Sequence, residues 1–548
     1  MRASKSKSGV SVRAIAGSHV VILGMSATKQ ARKGLLGFAI RRSDLTENER
    51  YWLRGMKTFR EVVPFQRPGA SYSLLEHPVQ SFRWADYTAK PDHKYVYEVV
   101  PMRGTPKFLV EGQKVEIAVS TESEGDPGQT HDVYFNRGVS ASQAYSEKFG
   151  DKKPSDLPAD EAKKAYQWLS RGLEEALISF VDSAKNNHFA LRAAVYEFNH
   201  DPVLDAFKRA SGNGADVQII YDARRDEPKT STEQALARTG ITSLAHPRQT
   251  GSAISHNKFV VLLKDNQPVA VWTGSTNVTE SGLYGQSNVG HIVRDRTVAQ
   301  SYLGYWQQLR QDPDYADLRD WTQNQTADPT GAPAPGTTVL FSPRQGLEVL
   351  QWYADRLDKA DDSAHMTAAF GVHDLFEDVL GKQKAHLRYV LLERADEDQV
   401  TWTRDPDVQA GVGAYIPGDA LYGWLREQTH FGTHVRYVHD KFMLIDPLSD
   451  DPVVITGSAN FSEASTKMND ENMLVIRGDT RVADIYFGEF MRLFSHYYFR
   501  DLIAKQKGQD VTTPRTLYLD STDKWANRYF KAGSVKSKER ILFSGASS

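Results

Sequence analysis

The spacing of hydrophobic and polar positions changes along the chain near residue 160. Before about residue 135, short β-branched and aromatic runs alternate with turns, and Leu35–Arg42, Val96–Val100 and Lys114–Val119 are candidate strands. After residue 160, long stretches with helical periodicity alternate with apolar β-branched runs, which predicts layered α/β structure. The pattern therefore predicts an all-β N-terminal part followed by a larger α/β part.

The N-terminal strands carry an aromatic pattern with its own meaning. Trp84 is followed, after a turn at 90–92, by Tyr95 and Tyr97. This resembles a fibronectin type III or immunoglobulin-like sandwich, in which a Trp fills the core and a Tyr ties a corner. A sandwich says little about chemistry, so we expect a scaffold, or a docking surface for an unidentified protein partner.

The α/β part repeats its own order of elements. Helix, strand, helix and strand are predicted in the first copy at Tyr166–Asn186, Phe189–Phe198, Pro202–Ala210 and Val217–Tyr221, and in the second at Gly346–Asp361, His365–Val372, Asp374–Gly381 and Leu387–Leu392. The stretch between the copies is rich in Pro and Gly, as a linker is. We expect a β-sandwich over 1–137, a first lobe over 138–326, a linker over 327–337, and a second lobe with a C-terminal segment over 338–548.

Composition narrows the chemistry. The 548 residues contain no cysteine, which excludes disulfides, Cys-based zinc sites, iron–sulfur clusters and thiol nucleophiles. The formal net charge of -2 excludes a strongly basic nucleic-acid coat but leaves room for a local basic groove. No run of about 18 apolar residues is present, so no membrane-spanning helix is predicted. Val20–Leu23 is interpreted as a strand rather than a signal peptide, and a cytoplasmic location is expected, with export by a signal-independent route left open.

Each α/β copy ends in the same constellation of polar residues. The first has His256 and Lys258, then an apolar strand, then Gly274-Ser275-Thr276-Asn277. The second has His439 and Lys441, then Gly457-Ser458-Ala459-Asn460, at identical spacing. Agreement at five positions in two copies indicates a duplicated functional motif.

The motif contains the groups that hold a phosphodiester. Residues i and i+2 of a strand share a face, so each His and its Lys would project together. Lysine charge, Asn amides, Ser hydroxyls and Gly N–H groups can hold phosphate oxygens. One imidazole could attack phosphorus to form a phosphohistidine, and the other could protonate the leaving alcohol and then activate water or a second alcohol. The lysines would neutralise developing charge, so no metal or other cofactor is expected.

These paired motifs resemble the phospholipase D superfamily, whose pattern is H-x-K-x4-D with a later G-S-x-N, over about residues 160–545. The resemblance implies a bilobal α/β fold with the active site between the lobes. The second motif fits it at His439, Lys441, Asp446, Gly457, Ser458 and Asn460. Glu471 stands at the family position whose carboxylate orients the His.

The first motif departs from that pattern. Leu263 occupies the position of the motif Asp, with Asp265 two residues further on, and Gln286-Ser287-Asn288 offers no carboxylate. Tyrosyl-DNA phosphodiesterases of the same superfamily also lack that Asp, but the orientation of His256 is left unexplained. The family tendency assigns the nucleophile to His256 and the acid/base role to His439. The predicted site comprises His256, Lys258, Ser275, Asn277, His439, Lys441, Asp446, Ser458, Asn460 and Glu471.

The resemblance implies a metal-independent phosphodiesterase, with hydrolysis and transfer both open. Two loops should select the substrate: Ala223–Ser255, which carries Arg224, Arg225, Lys229, Arg238 and Arg248, and Thr401–Val435, which is aromatic. The aromatic loop could insert among acyl chains during transient contact with a membrane surface, which favours a phospholipid substrate. It could also stack nucleobases, as in a nuclease or DNA-adduct phosphodiesterase. A third interpretation is a non-catalytic phosphate-binding protein that docks a partner.

Overall fold

The computed structural model describes residues 1–67, 70–138, 145, 148–150, 152, 154–251, 253–369, 371–393, 407–413, 438–506 and 518–546. Most of the predicted substrate loop Thr401–Val435 lies outside the described residues.

The N-terminal part is built from antiparallel strands in two main sheets and a separate pair, β6 with β7. Its strands are β1 (Arg2–Lys7), β2 (Val10–Ala16), β3 (Val21–Ala27), β4 (Gly37–Asp44), β5 (Glu49–Trp52), β6 (Arg54–Gly55), β7 (Tyr72–Ser73), β8 (Arg83–Asp86), β9 (Lys94–Thr105), β10 (Phe108–Glu111) and β11 (Val115–Ser120). One sheet has the order β1-β2-β3-β8 and the other β10-β9-β4-β5, with β11 also on β9. β11 alternates buried and exposed residues, as expected for a strand with one face in water.

The predicted corner tyrosine is found. The Tyr95 ring is buried and its hydroxyl accepts a hydrogen bond from the backbone N–H of Lys90 at 2.9 Å. Trp84 is partly buried against the same core. The all-β prediction is confirmed, and the fibronectin-type assignment stays a prediction.

The first lobe is a seven-stranded mixed sheet with helices. Its elements are β12 (His131–Phe135), α1 (Ala159–Ser170), α2 (Leu173–Asp182), β13 (Phe189–Val195), α3 (Asp201–Gly212), β14 (Asp216–Asp222), α4 (Asp226–Thr239), β15 (Ala245–Arg248), β16 (Lys258–Lys264), β17 (Gln267–Gly274), β18 (Val289–Val293), α5 (Arg296–Arg310) and α6 (Tyr315–Gln325). The sheet order is β12-β18-β17-β16-β13-β14-β15. The helix predicted over Tyr166–Asn186 is instead two helices, because Arg171 and Gly172 adopt positive φ values of 48° and 90°.

The second lobe repeats this topology strand for strand. Its elements are β19 (Gly336–Ser342), α7 (Glu348–Asp358), β20 (Ser363–Ala368), α8 (Asp374–Leu380), β21 (Leu387–Leu392), β22 (Val408–Val412), β23 (Phe442–Ile445), β24 (Val453–Gly457), α9 (Glu463–Lys467), β25 (Glu471–Arg477), α10 (Thr480–Gln506) and α11 (Val535–Ser544). The order is β19-β25-β24-β23-β20-β21-β22. In each lobe three strands run parallel and the rest antiparallel. The predicted duplicated α/β architecture is confirmed.

A shared apolar core joins the lobes. Val261 of β16 and Leu444 of β23 belong to the same buried cluster as Tyr302 of α5 and Phe490 of α10. Aromatic side chains of both helices therefore pack in this core. Because the core is continuous, the edges of the two sheets that carry the motifs are held in fixed register.

Two segments pack differently from the predicted division of the chain. β12, assigned by sequence to the sandwich, pairs with β18 of the first lobe. Trp525 and Tyr529, assigned to the second lobe, are buried in the sandwich core. The sandwich is also fixed to the second lobe by the Arg2–Asp484 ion pair at 2.9 Å. The domain limits at residues 137 and 338 stay a prediction.

Among the described residues, no helix is both long and apolar enough to cross a bilayer.

Candidate active site

Both motif histidines lie where the two lobes meet. The backbone N–H of His256 donates to the carbonyl oxygen of Asp470 at 3.0 Å, and that of His439 lies 3.4 Å from the Ser287 hydroxyl. Each contact extends a short parallel β-bridge across the interface, Ser255 with Asp470 and Ser287 with Val438. Each His is therefore positioned by the opposite lobe.

The imidazole of His256 is held by a carboxylate from the second lobe. His256 Nδ1 lies 2.9 Å from Oε2 and 3.0 Å from Oε1 of Glu471. Ser458 donates its hydroxyl to Glu471 Oε2 at 2.7 Å, and Asn469 donates from Nδ2 to Oε1 at 3.2 Å. Glu471 thus accounts for the orientation of His256 that its own motif leaves unexplained.

The imidazole of His439 is held in the same way by an amide from the first lobe. His439 Nδ1 lies 2.8 Å from Asn288 Oδ1, and Ser275 donates its hydroxyl to that oxygen at 2.8 Å. Asn288 occupies the position in the first copy that Glu471 occupies in the second. The two half-sites are pseudo-symmetric in geometry and unlike in charge.

The motif serines and glycines build these contacts. Ser275 and Ser458 donate to Asn288 and Glu471, so their hydroxyls fix the partners of the histidines, whereas the sequence suggested phosphate contacts. A Cβ on Gly457 would lie 2.2 Å from the Asn472 carbonyl oxygen. Only glycine permits this close approach of strands β24 and β25.

The two motif lysines are buried beside the histidines. Lys258 Nζ donates to the His256 carbonyl oxygen at 2.7 Å, and Lys441 Nζ to that of His439 at 2.6 Å. Desolvation lowers the pKa of Lys258 to about 8, although Glu471 and Glu197 oppose the shift. Two ammonium groups therefore remain close to both imidazoles, where an anionic substrate would bind.

Burial dominates the electrostatics of the His256–Glu471 pair. Burial lowers the pKa of His256 well below its usual value, and the charges of Lys258 and Lys441 lower it further. Burial also raises the pKa of Glu471 to about 8, against the opposing effect of Lys258. Because the charge of Lys441 in the second lobe lowers the pKa of His256 in the first, the two motifs share one electrostatic environment.

The motif asparagines line the same region. Asn277 donates from Nδ2 to the Glu197 carboxylate, and its Oδ1 is buried with no hydrogen-bond partner in the structure. Asn460 Oδ1 is likewise buried and unpartnered. Asn460 and Lys441 line a cavity of about 140 Å³ together with His373. Orphaned buried polar atoms of this kind fit a ligand that supplies the missing partners.

Asp446 lies away from these groups. Its carboxylate accepts hydrogen bonds from the backbone N–H groups of Asp361, Asp362 and Ser363 at 2.7–3.0 Å, at the far end of β23. Asp446 was predicted to belong to the site. Its carboxylate instead binds the backbone just before β20. At the corresponding corner of the first lobe, the Asp265 carboxylate binds His188 at 2.7 Å.

Most arginines of the first predicted substrate loop are in ion pairs. Arg224 binds Asp222 at 2.8 Å, and Arg248 binds Asp312 at 2.7 Å and Asp470 at 3.2 Å. Arg238 pairs with Asp201. Arg224 and Arg248 are buried and hold the loop in place, whereas Arg238 and its partner are exposed.

Sequence reasoning missed three residues of the site. Asn288 was noted only as lacking a carboxylate, although it stands as far from His256 as Glu471 does from His439, and that spacing was the available signal. Tyr196 packs its ring 5.1 Å from the His256 ring, and Glu197 contacts Asn277. Both follow β13 directly, and nothing in the motif pattern marks them.

Potential metal ligands converge elsewhere. Within the part of the chain that the structure describes, the one cluster of three such groups is Asp44, Glu47 and His93 in the N-terminal sandwich. Its members are already engaged, because His93 binds Asp44 at 2.8 Å and Lys90 binds Glu47.

Comparison with known proteins agrees with this architecture. Residues 177–310 and 379–494 match the family model described as the PLD-like domain of cardiolipin synthase. A search of curated proteins finds no match.

The solved structures that match this chain include the following three. Phosphatidylserine synthase of Haemophilus influenzae is 11% identical with a TM-score of 0.42, over 68% of this chain and 93% of that one. Yeast tyrosyl-DNA phosphodiesterase is 12% identical with a TM-score of 0.34, over 56% and 88%. The phospholipase D family member Nuc of Salmonella typhimurium is 27% identical with a TM-score of 0.21, over 25% and 86%. The two matched segments lie one in each lobe, so both lobes of this chain are similar to a PLD-like domain.

Proposed function

We propose that this chain is a metal-independent phosphodiesterase that works through a phosphohistidine on His256. The observation that carries the proposal is the pairing of each motif His with an unlike partner from the other lobe, Glu471 for His256 and Asn288 for His439. Two imidazoles with different partners are suited to two different roles.

The carboxylate partner favours His256 as the nucleophile. When Nδ1–H donates to the Glu471 carboxylate, the lone pair on Nε2 becomes more nucleophilic. Attack forms an Nε2–phosphorus bond and leaves a positively charged ring, which the carboxylate neutralises. The amide of Asn288 offers His439 no such charge compensation.

The amide partner favours His439 as the acid and base. Asn288 Oδ1 fixes the ring by accepting from Nδ1, while protonated Nε2 gives its proton to the leaving alcohol oxygen as the phosphorus–oxygen bond breaks. Neutral His439 then takes a proton from water or a second alcohol, whose oxygen bonds to phosphorus as the Nε2–phosphorus bond breaks. Water gives hydrolysis and an alcohol gives transfer.

A phospholipid is the substrate class we favour. The matched family model is named for cardiolipin synthase, and the buried ion pairs of Arg224 and Arg248 weaken the case for a groove that binds a nucleic-acid backbone. Contact of the Thr401–Val435 segment with a membrane surface, and a cytoplasmic location, stay predictions.

The test uses the full chain with EDTA present. Vesicles of phosphatidylglycerol, phosphatidylethanolamine or phosphatidylcholine, single-stranded DNA and an aryl phosphodiester are offered separately, with and without glycerol. We expect release or transfer of a lipid head group. His439→Asn should accumulate a phosphohistidine that is stable to base and labile to acid, whereas His256→Asn should form none.

Three results would contradict the proposal. Cleavage of DNA without any lipid would exclude the substrate class. Phosphohistidine formation in His256→Asn would reverse the roles of the histidines. Lack of turnover on every substrate, with no trapped intermediate, would leave the non-catalytic interpretation.

A further inference from the structure

A second large cavity lies outside the paired motifs, between the N-terminal sandwich and the C-terminal segment. Its volume is about 860 Å³, within the range of small-molecule sites. One wall comes from residues 54–84 and the other from residues 518–528. None of the predicted or observed active-site residues lines it.

Hydrogen bonds between the chain's two ends hold the cavity walls together. Gln80 Nε2 donates to the Asp520 carbonyl oxygen and Gln80 Oε1 accepts from the Asp520 N–H, both at 2.7 Å. The Leu519 N–H donates to the Thr58 carbonyl oxygen at 2.9 Å. The cavity is therefore pre-formed, which reduces the cost of ordering on binding.

The lining combines an apolar floor with a cationic wall. Leu74, Val79 and Trp525 are buried at the floor. The cationic side chains of the lining are Arg54, Lys57, Arg83, Lys524 and Arg528. The single carboxylate in the lining is Asp520, and it accepts from the Thr522 N–H at 2.9 Å and the Thr522 hydroxyl at 2.7 Å.

Within the described ranges, four of the five cationic groups have no opposing charge close by, whereas the charge of Glu539 raises the pKa of Arg83 against the opposing effect of burial. In the described residues none of the five pairs with a carboxylate within 4.0 Å. Desolvation and the charge of Arg528 lower the pKa of Lys57. Placing five positive charges together costs free energy. This grouping is not a consequence of a basic composition, because the whole chain has a net charge of -2.

We propose that this cavity binds a small amphiphilic anion, a phosphorylated molecule whose apolar or aromatic body rests on the floor and whose phosphate contacts the cationic wall. The phosphate would form charge-assisted hydrogen bonds with the arginines and lysines. The body would pack against the apolar part of the lining. This inference does not rest on the proposed function, because the cavity shares no residue with the catalytic site.

Two sources share this chemistry, a single-chain lipid phosphate and a nucleotide. Binding to the full chain is measured by calorimetry with dodecanoyl lysophosphatidic acid and with AMP, each against its uncharged counterpart, monododecanoylglycerol or adenosine. The lipid is used below its micelle concentration, and His256→Asn serves as the background so that nothing is turned over. We expect one phosphorylated probe to bind at a single saturable site at least about tenfold tighter than its counterpart.

The decisive variant reverses charge at two exposed wall positions, Lys57→Glu with Arg528→Glu. This double variant should lower the affinity for the phosphorylated probe by about tenfold or more and leave the thermal unfolding temperature nearly unchanged. Lys107→Glu, a matched reversal at an exposed sandwich position outside the lining, should have no effect. Equal affinity in the double variant and Lys107→Glu, or no binding of either phosphorylated probe, would overturn the inference.

Discussion

His256 Nδ1 lies 2.9 Å from Glu471 Oε2, although the two residues are 215 positions apart and belong to different lobes. The carboxylate is placed by Ser458, a motif residue of its own lobe. Each motif therefore supplies a His to its own half-site and an orienting group to the other.

Replacing the orienting carboxylate should impair catalysis without unfolding the protein. Glu471→Gln keeps the shape and one accepting oxygen, but it loses the second acceptor and cannot neutralise the charged ring of the intermediate. We expect kcat to fall by roughly 10²–10⁴-fold. Steady-state kinetics check this, with Glu463→Gln as the control, because it makes the same change at an exposed position on α9. Full activity in Glu471→Gln would remove the assigned role.

The pH dependence should report two groups of the site. The nucleophile requires ionised Glu471, whose pKa is raised to about 8, so activity should rise with pH through that value. Phosphate binding requires protonated Lys258, whose pKa is lowered to about 8, so activity should fall above it. We expect a narrow bell in kcat/KM centred near pH 8.

Lys258→Arg tests whether Lys258 causes the alkaline limb of this pH profile. A guanidinium stays charged, so the alkaline limb should move to higher pH, even if activity is lower overall. An unchanged alkaline limb would assign that limb to another group.

Stability should depend on buried Asp440, which lies between His439 and Lys441. Burial raises its pKa to about 7 in the folded protein, from about 3.8 unfolded. The contribution of Asp440 to the free energy of unfolding is therefore most favourable below pH 3.8, where the carboxyl is protonated in both states. This contribution is lost as the pH rises through 7. Asp440→Asn should raise the free energy of unfolding by on the order of 2 kcal/mol at pH 8 and change it much less at pH 4.

Denaturant unfolding at the two pH values measures this difference. The first copy already has Asn257 at the corresponding position, where it accepts from Asn472 Nδ2 at 2.8 Å, so an amide is sterically acceptable. Equal changes at both pH values would show that the effect is not proton-linked.

Asp446 should matter for folding and not for catalysis. Asp446→Ala removes the acceptor of three backbone N–H groups and should lower the free energy of unfolding by about 1–3 kcal/mol. The KM and kcat of the folded enzyme should be unchanged. Asp265→Ala is the matched variant, and its effect should be smaller because that carboxylate is exposed. A selective loss of kcat in Asp446→Ala would restore the role predicted from the motif.

The sequence was sufficient for the architecture and for most of the central residues. Periodicity located the repeated strands because central strands such as β21 are buried on both faces and are almost wholly apolar. The identical spacing of the motifs located both histidines. Their proximity to a common interface is seen in the contacts of His256 with Asp470 and of His439 with Ser287.

The remaining features depend on contacts between distant segments. The Asn288–His439 contact joins residues 151 positions apart, and no local pattern specifies such a partner. The position of Trp525 in the sandwich core likewise depends on how the C-terminal segment packs. The role of Asp446 stays a prediction, and the structure places its carboxylate at a corner of the sheet, where it accepts from three backbone N–H groups.

The exchange of orienting groups between lobes has an evolutionary corollary. A lobe of this kind on its own would leave its imidazole without the partner that lies across the interface, so an ancestral single copy would have had to associate with its twin. Both imidazoles of such a twin assembly would necessarily have had the same neighbour. Joining two copies in one polypeptide removed that constraint, and one gene could then keep an acid at 471 while tolerating a neutral side chain at 288.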